Sequence, residues 1–172
     1  MRITFLLRRP GFSGGDRVIA AYAQLLHERG HRVNVISVPG DSWRFRRKLR
    51  YLVRHGAWPR GVPPVKRSFL DEIAPEHRML ESSRPPMPDD VPYADVIIAT
   101  WWETAYWVAD LLPEKGTKTY FLQGYETSAP FADGKPEIVE RLKATWRLPL
   151  HKIVIARWLQ EVAAREYGDT DV

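Results

Sequence analysis

Apolar positions along this chain recur in one order: a short continuous run, a polar or glycine-bearing loop, then a longer segment with apolar residues at helical spacing. The opening run RITFLL, bounded by Pro10 and Gly11, reads as a buried strand. After the loop RRPGFSGGD, a helical face carries Val18, Ile19, Tyr22, Ala23, Leu25 and Leu26 and stops at Gly30. HRVNVISV is a second strand. Beyond Tyr93 the order returns, with ADVIIAT a strand, WWETAYWVADLLPEKG a helix closed by Pro113 and Gly116, and TKTYFLQ a strand. GYETSAPFADG is then a loop, PEIVERLKATW a helix with Pro136 in its first turn, HKIVIA a strand, and ARWLQEVAAREYG a helix. That last helix turns Leu159, Val162 and Ala163 inward and ends at Gly168. Residues 41–92 break the pattern as a basic, proline-rich crossover, irregular over 54–92. WRFRRKLRYLVRHG predicts a helix there, VKRSFL a strand, and APEHRMLESS at most a short helix.

Strand–helix units with near-continuous apolar strands predict an α/β fold: a Rossmann-like, doubly wound, mostly parallel sheet with helices on both faces. At 172 residues the chain is expected to be one domain with a substantial core. It contains no cysteine, which excludes disulfides and thiolate metal sites and fits a reducing compartment. No run is long enough to span a bilayer, and the N-terminal apolar run reads as a strand rather than a signal peptide. The expected location is cytoplasmic.

The net charge of +5 is modest, but its distribution is not. No acidic residue occurs from Ser42 to Arg67, and Arg46, Arg47, Lys48 and Arg50 interleave with Phe45, Leu49, Leu52 and Val53. Such a basic amphipathic helix suits an anionic membrane surface, a phosphorylated acceptor or a nucleic-acid backbone. It also suits a solvated helix that packs its apolar stripe on the core. No nucleic-acid motif accompanies the patch, so no nucleic-acid partner is expected.

In parallel sheets, ligands sit beyond the carboxyl ends of the strands, which directs attention to 8–17, 37–42, 100–104 and 123–131. Gly14 and Gly15 lie beside the start of the first helix, where unpaired N–H groups and the dipole suit a phosphate or carboxylate, with Arg8, Arg9 and Arg17 adding charge. Equally, the glycines only make the turn, with Asp16 capping the helix. The spacing G-x-x-G-G is not the dinucleotide fingerprint, and the second strand ends in Ser37 and Val38 rather than an acid. That disfavours a nicotinamide-dependent epimerase or reductase. Trp101, Trp102 and Glu103 follow one strand, and Gln123, Tyr125 and Glu126 the next. Aromatic faces stack on sugar rings, and carboxylates and amides hold hydroxyls. Glu103 and Glu126 could share a cleft as acid and base; the alternative for Glu103 is a dipole-favoured place in the first helical turn. The five histidines show no metal-ligand spacing, and no nucleophile elbow or triad is evident, so no metal, cofactor or catalytic residue is assigned.

The opening RITFLLRRPGFSGGDRVIAAYAQLLHERGHRVNVISV resembles the N-terminal half of a GT-B glycosyltransferase of family 4. The ATWWETA, YFLQGYE and HKIVIARWLQEVAAREYG segments follow in the matching order, so the likeness covers most of the chain outside 41–92. The QGYE and I-A-x-W-L segments direct it towards transferases that build cell-surface polysaccharides, of the rhamnosyl or O-antigen kind. The resemblance implies a retaining, two-domain transferase moving sugar from a nucleotide-sugar to a glycan or lipid-linked acceptor. This chain would be the acceptor-side half, and its basic helix would either steer a lipid-linked acceptor or dock the protein peripherally on the inner face of the plasma membrane. The donor-binding domain with its paired-glutamate motif would be absent, and the isolated half inactive. By position, the family's glycine loop falls on Gly14 and Gly15, and its post-strand loops on Trp101 to Thr104 and Gln123 to Glu126. One departure is that many members carry a histidine after the YFLQ-type strand, and this chain has none between His77 and His151. A Rossmann-like binding or regulatory module without catalysis is the alternative.

Overall fold

The computed structural model describes residues 1–40, 45–59, 67–128 and 132–172. In chain order the elements are β1 (Arg2–Arg8), α1 (Gly14–Glu28), β2 (Arg32–Val38), α2 (Phe45–His55) and β3 (Glu76–Met79). β4 (Val96–Ala99), α3 (Trp102–Asp110), β5 (Thr117–Leu122), α4 (Pro136–Thr145), β6 (His151–Val154) and α5 (Arg157–Val162) follow. All strand pairs are parallel, in the order β3-β2-β1-β4-β5-β6. This is the α/β, Rossmann-like arrangement that the strand–helix alternation predicts.

Alternation along each strand separates two apolar layers. Ile3, Phe5 and Leu7 of β1, Val33 and Val35 of β2 and Phe121 of β5 pack with Ile19, Ala20 and Ala23 of α1. Leu6, Ile36, Ile97, Tyr120 and Leu122 point to the opposite face, against Ala105 and Val108 of α3 and Leu159 and Val162 of α5. Helices thus change faces between β1 and β4, the two central strands, and the loops there diverge to leave a crevice.

Several local expectations are corrected. The segment APEHRMLESS holds no helix: Glu76–Met79 forms β3, an edge strand on β2. The end of VKRSFL forms no strand: Phe69 and Leu70 open a 3-10 turn, Phe69–Glu72, and 65–66 lie outside the described residues. α3 stops at Asp110, with Pro113–Lys115 a separate 3-10 turn, because Pro113 cannot continue the ladder. α5 passes at Ala163–Tyr167 into a π turn that Gly168 ends at φ 68°. On α1, Tyr22 and Leu25 are exposed and Ala20 is buried instead, so the buried face is rotated from the expected one. Leu49 and Val53 of α2 are exposed, so these positions of its apolar stripe are not packed on the core. Arg46 and Arg47 lie in that helix, but their side chains, with residues 41–44 and 60–66, fall outside what is described.

Candidate functional site

The carboxyl ends of β1, β4 and β5 border a cleft of about 950 Å³ at the point where the helices change faces. Three short loops build it, each held by a different local device.

After β1 the chain turns through Arg9, whose φ of 53° is left-handed. Its N–H still donates to Val38 O at 2.8 Å, so the turn continues the β1–β2 ladder while re-aiming the side chain. α1 then starts at Ser13, not Asp16. Ser13 Oγ accepts from the Asp16 N–H at 3.1 Å, and Asp16 accepts from the Ser13 N–H and hydroxyl, a reciprocal capping box. Gly14 and Gly15 are therefore inside the first turn. Gly15 lines the cleft, and a Cβ added there would stand 3.4 Å from Gln123 Oε1. Gly14 and Arg17 are exposed and do not line it.

After β4, Thr100 Oγ1 donates to Leu6 O at 2.8 Å and ties the β4 end to β1. Thr104 is fully buried, and its hydroxyl accepts from the Thr100 and Trp101 N–H groups. These bonds fix the two tryptophans in different settings. Trp102 is buried against Leu142 and Ala132, with the Arg141 guanidinium 4.8 Å above its ring. Trp101 is half-buried and lines the cleft. Glu103 pairs with Arg8, joining the end of β1 to the start of α3. Its carboxylate is therefore both at the dipole-favoured helix start and bound to a cation.

After β5 come Gln123, Tyr125 and Glu126, all lining the cleft. The Tyr125 hydroxyl donates to Glu166 and lies 3.2 Å from the Tyr167 hydroxyl, so the C-terminal segment braces this ring. Glu126 meets the N-terminus of α3, where the Trp102 N–H donates to its carboxyl, while its Oε2 is buried without a partner. Burial pushes this acid up to about 8. Glu103 and Glu126 thus face one cleft in opposite states at neutral pH, the first ion-paired and the second protonated.

The structure brings together Gly15, Trp101, Trp102, Glu103, Gln123, Tyr125 and Glu126, and leaves out Gly14 and Arg17. It keeps Arg8 and Arg9, which were expected to add charge beside the glycines, and adds Ser13, Asp16 and Thr100, which sequence reasoning did not single out as ligand contacts. The strand-end rule reached their segments. Lys48 and Arg50 lie on α2, away from the cleft lining. Among the described residues, no group of three His, Asp or Glu is placed to hold a metal ion. No family model matches the chain, and no curated protein matches its sequence.

Proposed function

We propose that this domain is the acceptor-side half of a metal-independent, retaining GT-B glycosyltransferase of family 4. It would bind a glycan or lipid-linked acceptor while a second domain holds the nucleotide-sugar. The observation that carries this reading is the composition of the cleft at the carboxyl ends of β1, β4 and β5. The half-buried indole of Trp101, a second aromatic ring at Tyr125, and the amide and carboxyl groups of Gln123, Glu103 and Glu126 line it together. A ring face beside several hydrogen-bonding groups is the chemistry that recognises a polyol. The sequence resemblance in the strand-end loops supports the same reading.

Saturation-transfer NMR on the 172-residue chain tests it. Lipid-linked oligosaccharides of the O-antigen type should bind, and Trp101→Ala should weaken that binding roughly tenfold, about 1.4 kcal/mol. Binding of a nicotinamide dinucleotide with no response to any glycan would sink the proposal.

The capture of Glu103 by Arg8 and of Tyr125 by Glu166 favours one second reading, a sugar-binding module without chemistry. The two part in a transfer assay: a transferase supplied with its donor domain turns over nucleotide-sugar, and a module does not. For α2, the exposed Leu49 and Val53 beside Lys48, Arg50 and Arg54 support docking on an anionic leaflet.

A further inference from the structure

Leaving the two indoles aside, the hydrogen-bonding side chains that line the cleft are, with one exception, already engaged by the fold. Arg8 and Glu103 pair with each other, and Arg9 has a partner of its own. Ser13 and Asp16 close the α1 cap, and Thr100 donates to Leu6 O. The Tyr125 hydroxyl donates to Glu166, 41 residues further along the chain. Glu126 accepts from the Trp102 N–H, and its Oε2 is sealed from solvent. The exception is Gln123. It follows β5 directly and is half-buried, and among the described residues its amide makes no hydrogen bond. Gly15 gives that amide its place: a Cβ there would stand 3.4 Å from Gln123 Oε1 and 3.7 Å from Nε2. Both polar atoms therefore lie along the first turn of α1, against a residue with no side chain, and both are unspent.

What such a group recognises follows from its chemistry. A primary amide offers an N–H donor and a C=O acceptor side by side. An oxyanion, which only accepts, answers the N–H and is repelled by the C=O; an ammonium does the reverse. A lone hydroxyl satisfies one of the two atoms at a time. Two hydroxyls on adjacent carbons of a sugar ring satisfy both, one accepting from Nε2 while its neighbour donates to Oε1.

We propose that Gln123 is the specificity-determining residue of the cleft and that it reads a vicinal hydroxyl pair of the glycan. This deepens the acceptor-half reading, on which it rests, by naming the part of the sugar that is recognised and the side chain that recognises it. The other polar side chains, spent on partners within the fold, shape the wall and add little to the choice among sugars.

Methyl α-rhamnoside and its 2-deoxy, 3-deoxy and 4-deoxy analogues are the probes, titrated into the full chain and followed by NMR. The 3-hydroxyl belongs to both adjacent pairs of this sugar, so its removal should weaken binding to the native chain roughly fivefold, the worth of one hydrogen bond. Removal of either the 2-hydroxyl or the 4-hydroxyl, but not of both in turn, should cost the same. Gln123→Met keeps the length of the side chain and loses both polar atoms. It should bind the parent sugar roughly tenfold more weakly than the native chain and treat the parent and the 3-deoxy analogue alike. Equal affinity of Gln123→Met and the native chain, the same 3-deoxy penalty in both, or no binding of the parent sugar by the native chain would overturn the proposal. So would a Gln123-dependent preference for methyl N-acetylglucosaminide, whose acetamido group also offers a donor and an acceptor. Should the variant fail to fold, the side-chain amide signals of Gln123 in the native chain decide instead: the parent sugar must move them, and unmoved signals refute the contact. Glycan binding and transfer that do not depend on Gln123 would refute this inference alone. Gln123-dependent binding by a chain that supports no transfer when its donor domain is supplied would refute the acceptor-half reading alone.

Discussion

At the scale of single residues, Glu126 also links the cleft to stability. The unfolded chain releases this proton near 4.5, whereas the folded chain holds it to about 8. Between those values the folded state binds more protons than the unfolded one, so stability falls as pH rises through the window and levels off above it. The loss over the full window is on the order of 3–5 kcal/mol. Glu126→Gln should remove that slope, leaving the variant clearly more stable than the native protein at pH 8 and similar at pH 4.5. Urea unfolding across the pH series measures it, and parallel curves for the two proteins would contradict the assignment. A second residue is fixed by contact. Gly116 sits at φ 139°, and a Cβ there would lie 2.3 Å from Ala94 O, so Gly116→Ala should cost at least about 3 kcal/mol in the same assay. Gln123, Tyr125 and Glu126 were legible in the sequence because they directly follow an apolar run. Gly14 and Arg17 were misplaced because the glycines lie inside α1: positions 15, 16 and 19 turn to the cleft, and 14 and 17 turn away. The protonation of Glu126 was not legible, since it depends on burial created by packing.

Elements that bury an apolar face were readable; of those that bury little, α2 and β6 were still read from their sequence pattern, and β3 was missed. β1, β2, β4 and β5 are near-continuous apolar runs because both faces of the central sheet are covered. β3, by contrast, reads EHRM and is mostly exposed, as suits an edge strand whose charged residues discourage further pairing. A part-buried polar contact holds it, His77 Nε2 at 2.8 Å from the buried Ser37 Oγ, and burial holds that imidazole below its ordinary range. Nothing in a periodicity of 2.0 marks such a segment. The capping of α1 makes an element-scale prediction. Ser13 satisfies one of the helix's unpaired N–H groups and anchors Asp16, so Ser13→Ala should cost about 1 kcal/mol. The same change frees the loop that carries Gly15 to the cleft, and glycan affinity should drop with it. A stability loss with glycan affinity unchanged would separate the cap from the site.

For the whole molecule, the proposed lipid-linked acceptor raises the question of how the cleft would meet a ligand held in a bilayer. Among the described residues, no helix is long and apolar enough to cross a membrane. α2 instead carries Lys48, Arg50 and Arg54 with exposed Leu49 and Val53, and Trp58 just beyond it is also exposed, with Lys48 5.8 Å from its ring. An interfacial helix binds through both of these terms, apolar insertion and attraction to anionic headgroups, and the electrostatic part is screened over about 8 Å at physiological ionic strength. The two terms are separable. Lys48→Glu with Arg50→Glu should abolish sedimentation with phosphatidylglycerol vesicles at low salt, and raising salt should mimic the change in the native chain. Leu49→Ser with Val53→Ser should weaken binding at every salt concentration, because the apolar contribution does not screen. Neither pair touches the cleft, so glycan affinity should stay at the native level in both. Equal sedimentation with neutral phosphatidylcholine vesicles would exclude the electrostatic half of the argument. Loss of glycan affinity along with vesicle binding would mean that α2 serves the cleft rather than the membrane.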